Sequence, residues 1–150
     1  MKPFTTATFL ILLIAGLISC SGKREISIWY PAGTEKQVRT AAEELAAYLA
    51  RMYSGTSFEL HEGLADPGGR AIFISTENRL GEMEEIVTGK LLEGPEAFAV
   101  FRSDDRGYVV GRDAKGVFNG VYALLEHLGC SFYLSHESVP EYEDALDFEL

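Results

Sequence analysis

The stretch GRDAKGVFNGVYALLEHLGC, from Gly111 to Cys130, decides the fold of this chain. Its apolar side chains recur at intervals of three and four residues, which places them on one face of an α-helix: Val117, Val121, Leu124, Leu125 and Leu128. Gly129 follows and can take the left-handed conformation in which helices commonly end. Gly120 costs the helix roughly 1 kcal/mol relative to Ala. We therefore expect that Gly120 lets the helix lie close on a sheet.

The start of this stretch lies between a predicted strand and the helix, as a phosphate-binding loop does. Lys115 precedes the second glycine and no Ser or Thr follows it, so the P-loop pattern fails. We interpret Asp113 as a helix cap or turn former and Gly116 as a residue with an unusual backbone angle. A helix N-terminus with Arg112 and Lys115 nearby attracts carboxylates, and we hypothesise a contact with a uronate there.

The rest of the chain alternates between strand patterns and one further helix pattern. Thr34 and Gln37 form a capping box at the start of that helix, and Gly55 can supply its left-handed stop. We predict strands at 25–30, 57–61, 71–75, 97–102 and 108–112, a helix from 34 to about 53, a short helix around 82–88, a loop at 62–69 and a final strand from 146 to 150. This order predicts a two-layer α/β sandwich, in which two main helices pack on one face of a mixed β-sheet.

The first twenty residues have the pattern of an export signal. The apolar run Phe9–Ile18 fits a signal-peptide core, since a membrane-spanning helix needs roughly 20 apolar residues. It ends in Leu17-Ile18-Ser19-Cys20, which resembles the lipobox of bacterial lipoproteins. The resemblance implies a signal peptide at 1–19, lipid on Cys20, a tether at 20–24 and a domain at 25–150, anchored to a membrane of the bacterial cell envelope. The alternative is an ordinary secretory signal that ends in a Cys by chance.

Charge and cysteine content restrict the partners. The formal net charge of −10 repels phosphates, so nucleic acid is not expected as a partner. If Cys20 carries lipid, Cys130 has no disulfide partner, and its apolar surroundings predict a buried structural thiol. No Cys or His residues have zinc-ligand spacing, so we expect neither metal nor cofactor. His127 suits the last turn of its helix, where positive charge is favourable.

A longer pattern points to a family. The chain reads Gly111-x-Asp113-x-x-Gly116-x-x-x-Gly120-Val121-Tyr122-x-Leu124-Leu125-Glu126-x-Leu128-Gly129-Cys130, followed by Phe132-Tyr133 and Val139-Pro140. This resembles the N-terminal domain that precedes the catalytic barrel in family 67 α-glucuronidases, and related domains precede the barrels of family 20 β-hexosaminidases. The resemblance implies a non-catalytic domain that packs against a glycosidase barrel in the degradation of a xylan-type polysaccharide. Its motif residues are structural: Gly111, Asp113, Gly116, Gly120, Tyr122 and Gly129.

The residues themselves give little support to chemistry by this domain. A (β/α)₈ barrel needs about 250 residues and none remain after Leu150, so we expect a truncated or split enzyme. Glycosidic cleavage needs two carboxyls across a cleft, whereas the neighbouring pairs Asp104/Asp105 and Glu84/Glu85 read as solvated surface, and we assign no catalytic residue. A stand-alone glycan-binding lipoprotein stays the alternative, and an intact enzyme ranks third. Four aromatic residues are candidates by residue type for stacking on a sugar: Trp29, Tyr30, Phe132 and Tyr133. We expect two of them, Trp29 and Phe132, to lie in the core.

Overall fold

The computed structural model describes residues 23–65, 68–81 and 93–146. The predicted signal peptide, Cys20, the short helix around 82–88 with the Glu84/Glu85 pair, and most of the final strand lie outside these residues. The described elements are β1 (Arg24–Tyr30), α1 (Lys36–Met52), β2 (Thr56–Glu62), β3 (Ala71–Thr76), a 3₁₀ turn (Glu77–Arg79), β4 (Phe98–Ser103), β5 (Arg106–Gly111), α2 (Ala114–His127), β6 (Ser131–Phe132) and β7 (Glu137–Ser138).

A five-stranded sheet forms one layer, with strand order β2-β1-β3-β5-β4. β1, β2, β3 and β5 run parallel, and β4 pairs antiparallel with β5 as the hairpin pattern predicted. Both helices contribute to one core cluster with the strands beneath them, Leu45 and Leu49 from α1 and Val117 and Val121 from α2. The predicted two-layer α/β sandwich with a mixed sheet is therefore confirmed.

The central strands are buried on both faces of the sheet. In β3, Ile72 and Ile74 belong to the helix-side core, whereas Phe73 belongs to a second cluster on the opposite face. There the Tyr108 ring stacks on Phe73 at 5.4 Å and on Phe101 at 5.0 Å. This two-sided burial explains why residues 71–75 read as an almost wholly apolar run without alternation.

Both predicted caps of α1 are wrong, although the helix ends within one residue of the predicted position. Helix α1 begins at Lys36 with Glu35 as the N-cap residue and no side-chain cap, so Thr34 does not form the expected capping box. The helix starts one residue too late for it, because Gln37 becomes the second helical residue, not the third. Gly55 is not left-handed either, since α1 ends at Met52 and Tyr53 caps it. A Cβ at Gly55 would lie 3.2 Å from the carbonyl oxygen of Glu143.

The predicted helix-to-sheet contact at Gly120 is confirmed. A Cβ on Gly120 would lie 2.8 Å from Val109 Cγ1 in β5, closer than carbon atoms pack. Gly129 has a φ of 102° and ends α2 as predicted. Within the described residues, no helix has both the length and the apolar content that a membrane crossing requires.

Candidate functional site

The junction of β5 and α2 is held by the Asp113 carboxylate. Asp113 is the N-cap residue of α2, and its Oδ1 accepts a 2.8 Å hydrogen bond from the Gly116 N–H. Its Oδ2 accepts a 3.1 Å bond from the N–H of Glu96, in the loop before β4. These bonds, the one from Gly116 foremost, hold the pKa of Asp113 below its ordinary value. The geometry agrees with the interpretation of Asp113 as a cap, and it adds a link to a second segment.

The glycines of the motif allow backbone segments to meet at this junction. A Cβ on Gly111 would lie 2.1 Å from the backbone nitrogen of Val117, and one on Gly116 would lie 2.3 Å from the carbonyl oxygen of Ala97. The interpretation of Gly116 as a residue with an unusual backbone angle is wrong, because Gly116 lies within α2 and its φ is not positive. Glycine is needed there for close approach.

The two basic residues of the hypothesised uronate contact lie at the same helix start. The ammonium of Lys115 forms a 2.9 Å ion pair with Glu96 Oε1, which raises the pKa of Lys115. Arg112 is exposed, and its backbone N–H donates a 2.9 Å bond to the Ala97 carbonyl. An anionic ligand would compete with the carboxylates of Asp113 and Glu96 for this position. The uronate contact stays a prediction.

A shallow groove of about 350 Å³ opens beside this helix start, between the N-terminal ends of α1 and α2. Its lining combines one aromatic ring, two amides and the ion pair: Phe118, Gln37, Asn119, Glu96 and Lys115. The half-buried Phe118 ring stacks on Tyr122 at a centroid distance of 5.2 Å. The Tyr122 hydroxyl donates a 2.6 Å bond to Glu44 Oε2 on α1. The pKa of the Tyr122 hydroxyl is raised, mainly because the residue is partly buried and also because of this hydrogen bond to Glu44.

A small hairpin, β6–β7, packs against the outer side of the helices. The Tyr48 hydroxyl donates a hydrogen bond to Glu137 Oε2, and the Arg51 guanidinium donates a 2.7 Å bond to Glu137 Oε1. Both bonds stabilise the carboxylate and hold the pKa of Glu137 below its ordinary value. Phe132 of the hairpin meets the Tyr48 ring edge-on at 5.5 Å and the Tyr122 ring at 4.7 Å. The base of the hairpin is thus fixed to both helices.

The tip of this hairpin exposes apolar side chains. Leu134 is fully exposed and Tyr133 is 59% exposed. The Tyr133 ring stacks on His136 at 4.6 Å, and the Tyr133 N–H donates a 2.9 Å bond to the His136 carbonyl. The tip is therefore an ordered apolar surface on a fixed base, and we call Tyr133-Leu134 the hairpin tip.

The histidines and the cysteine that the sequence offers as candidate reactive or metal-binding residues lie apart from one another. His61 stacks on Trp29 at 4.5 Å, and His127 lies in the last turn of α2 as predicted. Cys130 is buried as predicted, with its sulfur 3.5 Å from Met52 Sδ. Among residues 23–65, 68–81 and 93–146, no three His, Cys, Asp or Glu side chains are grouped so that they could hold a metal ion.

Asp104 and Asp105 are exposed at the β4–β5 turn, as the surface interpretation expected.

Three of the four aromatic candidates for sugar stacking are buried or half-buried. Tyr30 is 7% exposed and packs in the helix-side core, and Phe132 packs against the same core. Trp29 packs against the cluster on the opposite face of the sheet. Among the four, only Tyr133 is exposed.

Sequence reasoning missed most of the groove and the anchor of the hairpin. The pairs Tyr48–Glu137 and Arg51–Glu137 join residues 89 and 86 positions apart, and no local pattern reports such a contact. Glu96 has a φ of 61°, which is uncommon for a residue other than glycine. This backbone angle is visible in the structure and not in the sequence.

Comparison with known proteins gives distant matches only. No family model matches the sequence, and no curated protein matches it. Among solved structures, the chain is similar to a GH138 enzyme targeting pectin rhamnogalacturonan II, with 19% identity and a TM-score of 0.48 over 69% of this chain. It is also similar to CpGH84D, with 15% identity and a TM-score of 0.49 over 67% of this chain. The match spans 13% and 17% of the length of those two chains, and both are glycoside hydrolases of families other than 67.

Proposed function

We propose that this chain is a non-catalytic accessory α/β domain of an α-glucuronidase-like glycoside hydrolase system, held at the bacterial cell envelope by lipid on Cys20. Its role is to cover or orient a catalytic barrel that acts on a xylan-type polysaccharide. The observation that carries the proposal is the use of the family-like motif for packing. Gly111, Gly116 and Gly120 admit close contacts of α2 with its neighbours, and Asp113 caps the helix.

The acid–base properties of Asp113 and Glu137 support a non-catalytic role for these two carboxyls. A glycosidase needs a carboxylic acid whose pKa is raised, facing a second carboxyl across a walled cleft. Asp113 and Glu137 have lowered pKa values because each accepts two or more hydrogen bonds. They are therefore stabilised as anions, which is the opposite of the state that a general acid requires.

The hairpin tip supports docking on a larger partner. Tyr133 is exposed beside a fully exposed Leu134, and tyrosine is among the residues enriched at the buried centres of interfaces. The bonds of Glu137 to Tyr48 and Arg51 fix the base, so little conformational freedom is lost on binding. Further exposed carboxylates follow the hairpin at Glu141, Glu143 and Asp144. We therefore propose that the partner is a catalytic barrel with an apolar pocket rimmed by basic residues.

Site-specific photo-crosslinking in the bacterium that makes this protein tests the docking. A photoreactive residue replaces Leu134 in one variant, and it replaces Asp104, in the exposed β4–β5 turn, in a matched control variant. We expect crosslinks from position 134 to peptides of a glycosidase-type barrel, with none from position 104. The proposal fails if position 134 gives no crosslink, the same crosslinks as position 104, or only proteins without such a barrel.

A further inference from the structure

The groove between the N-terminal ends of α1 and α2 is built from three separate segments. Gln37 comes from α1, Glu96 from the loop before β4, and Lys115, Phe118 and Asn119 from α2. Its volume of about 350 Å³ lies at the small end of the range for ligand pockets. A groove of this size suits one or two sugar rings better than a long chain.

Phe118 gives the groove a pre-oriented aromatic wall. Tyr122 lies against its ring at 5.2 Å with an angle of 25° between the planes. The Tyr122 ring is itself held by the 2.6 Å bond from its hydroxyl to Glu44. Because Tyr122 holds the ring in place, Phe118 can contact a ligand without a large cost in side-chain ordering.

The polar groups of the groove match hydroxyl chemistry. Gln37 and Asn119 are exposed, and their side-chain amides form no hydrogen bond with any residue in the described part of the chain. Each amide offers donors and an acceptor, the Glu96 carboxylate accepts, and the Lys115 ammonium donates. Adjacent hydroxyls on a ring need this mixture of donors and acceptors at close quarters.

The local charges favour a neutral ligand. Lys115 is paired with Glu96 at 2.9 Å, and the Gly116 N–H at the helix start is already bonded to Asp113. An anion would be repelled by these two carboxylates, whereas a neutral sugar can bond to the ion pair as it stands. The aromatic wall, the open amides and the neutralised lysine thus select the same class of ligand.

We propose that this groove binds a neutral pyranose unit of an oligosaccharide. Phe118 stacks against the C–H face of the sugar, and Gln37, Asn119 and the Lys115–Glu96 pair bond its hydroxyls. The choice of xylose-based probes rests on the proposed function, but the groove is separate from the hairpin tip. A failed sugar titration and a failed crosslink at position 134 therefore report on different claims.

NMR titration of the full chain tests the proposal with xylohexaose, cellohexaose, chitohexaose and a glucuronate-substituted xylo-oligosaccharide. We expect shifts of the backbone signals of residues 37, 96, 115, 118 and 119 with a neutral oligosaccharide, with an affinity that changes little with salt. The Q37A/N119A variant removes two exposed amides, and we expect it to weaken binding about tenfold at unchanged Tm. Glu126→Ala, an exposed position further along α2, is the matched control and leaves binding unchanged.

Three outcomes would overturn the proposal. The first is no shift with any neutral probe up to about 10 mM, which is weaker than any useful affinity at such a site. The second is a shift pattern that leaves out the groove residues or is unaffected by Q37A/N119A. The third is a preference for the acidic oligosaccharide that declines steeply with salt, which would assign the groove to anions.

Discussion

The backbone N–H of Glu96 donates a 3.1 Å hydrogen bond to Asp113 Oδ2. This bond joins the loop before β4 to the start of α2, while the second oxygen of the same carboxylate caps the helix. One side chain thus links the hairpin edge of the sheet to the helix that covers it, and it also positions the Glu96 wall of the groove.

Asp113→Asn tests this link. The amide nitrogen that replaces one oxygen cannot accept a hydrogen bond, so either the Glu96 or the Gly116 N–H loses its acceptor. We expect a lower Tm near neutral pH, measured by circular dichroism, whereas Asp104→Asn in the exposed turn changes it little. An unchanged Tm for Asp113→Asn would contradict the link.

The difference in Tm between wild type and Asp113→Asn has a defined pH dependence. In the folded state, the pKa of Asp113 is lowered from its ordinary value of 3.8. The contribution of the Asp113 carboxylate to the stability of the fold is therefore complete above that value and is lost as pH falls through the folded pKa. The Tm gap between wild type and Asp113→Asn should be constant from about pH 7 to 5 and should narrow below about pH 4. A gap that widens in acid would refute the assignment.

Gly116→Ala reverses the usual effect of this substitution. Ala in place of Gly normally stabilises a helix by about 1 kcal/mol. Here the new Cβ would lie 2.3 Å from the Ala97 carbonyl oxygen, which is held by a hydrogen bond from the Arg112 N–H and cannot move aside cheaply. We expect a loss of about 1–3 kcal/mol in the free energy of unfolding, measured in urea. Glu126→Ala on the same helix is the control, and a stabilised Gly116→Ala would show that the junction has room.

The Cys130 thiol should be inert in the folded protein. Burial raises its pKa, so little thiolate forms at neutral pH, and its sulfur packs against Met52. In the Cys20→Ser variant, we expect an aromatic disulfide reagent to react with Cys130 only as fast as the domain unfolds, with the rate rising steeply in urea. Immediate reaction in buffer would place the thiol at an accessible surface.

Lipid on Cys20 is testable apart from the domain. We expect a clickable palmitate analogue to label the wild-type chain and the protein to sediment with the bacterial membranes. Cys20→Ser should lose both properties, whereas Cys130→Ala should keep both. Labelling that persists in Cys20→Ser would contradict the lipobox interpretation.

Local periodicity was sufficient for much of the fold. The spacing of Val117, Val121 and Leu124 predicted α2, and the turn residues after β4 predicted its antiparallel pairing with β5. The close approach of the helix to the sheet at Gly120 is also predictable, because a glycine inside a strong helix pattern indicates that a larger side chain would not fit. The structure shows Val109 Cγ1 at that position. These features depend on neighbours within about one element of the chain.

Features that depend on distant residues were not predictable in the same way. β6 and β7 have two residues each, too few for any periodic pattern, and their position depends on Tyr48 and Glu137 meeting across 89 residues. The groove brings together Gln37, Glu96 and Phe118, which no spacing rule connects. The strand order also followed from long-range packing.

The proposed function requires that this domain does not itself cleave glycosidic bonds, and a hydrolysis assay of the purified chain tests that requirement. The purified chain is incubated with acidic xylo-oligosaccharides, neutral xylo-oligosaccharides and chito-oligosaccharides, and the products are analysed by mass spectrometry. We expect no product above the buffer blank. Release of 4-O-methylglucuronate or of any shortened oligosaccharide, abolished by substituting one carboxylate of this chain, would contradict it.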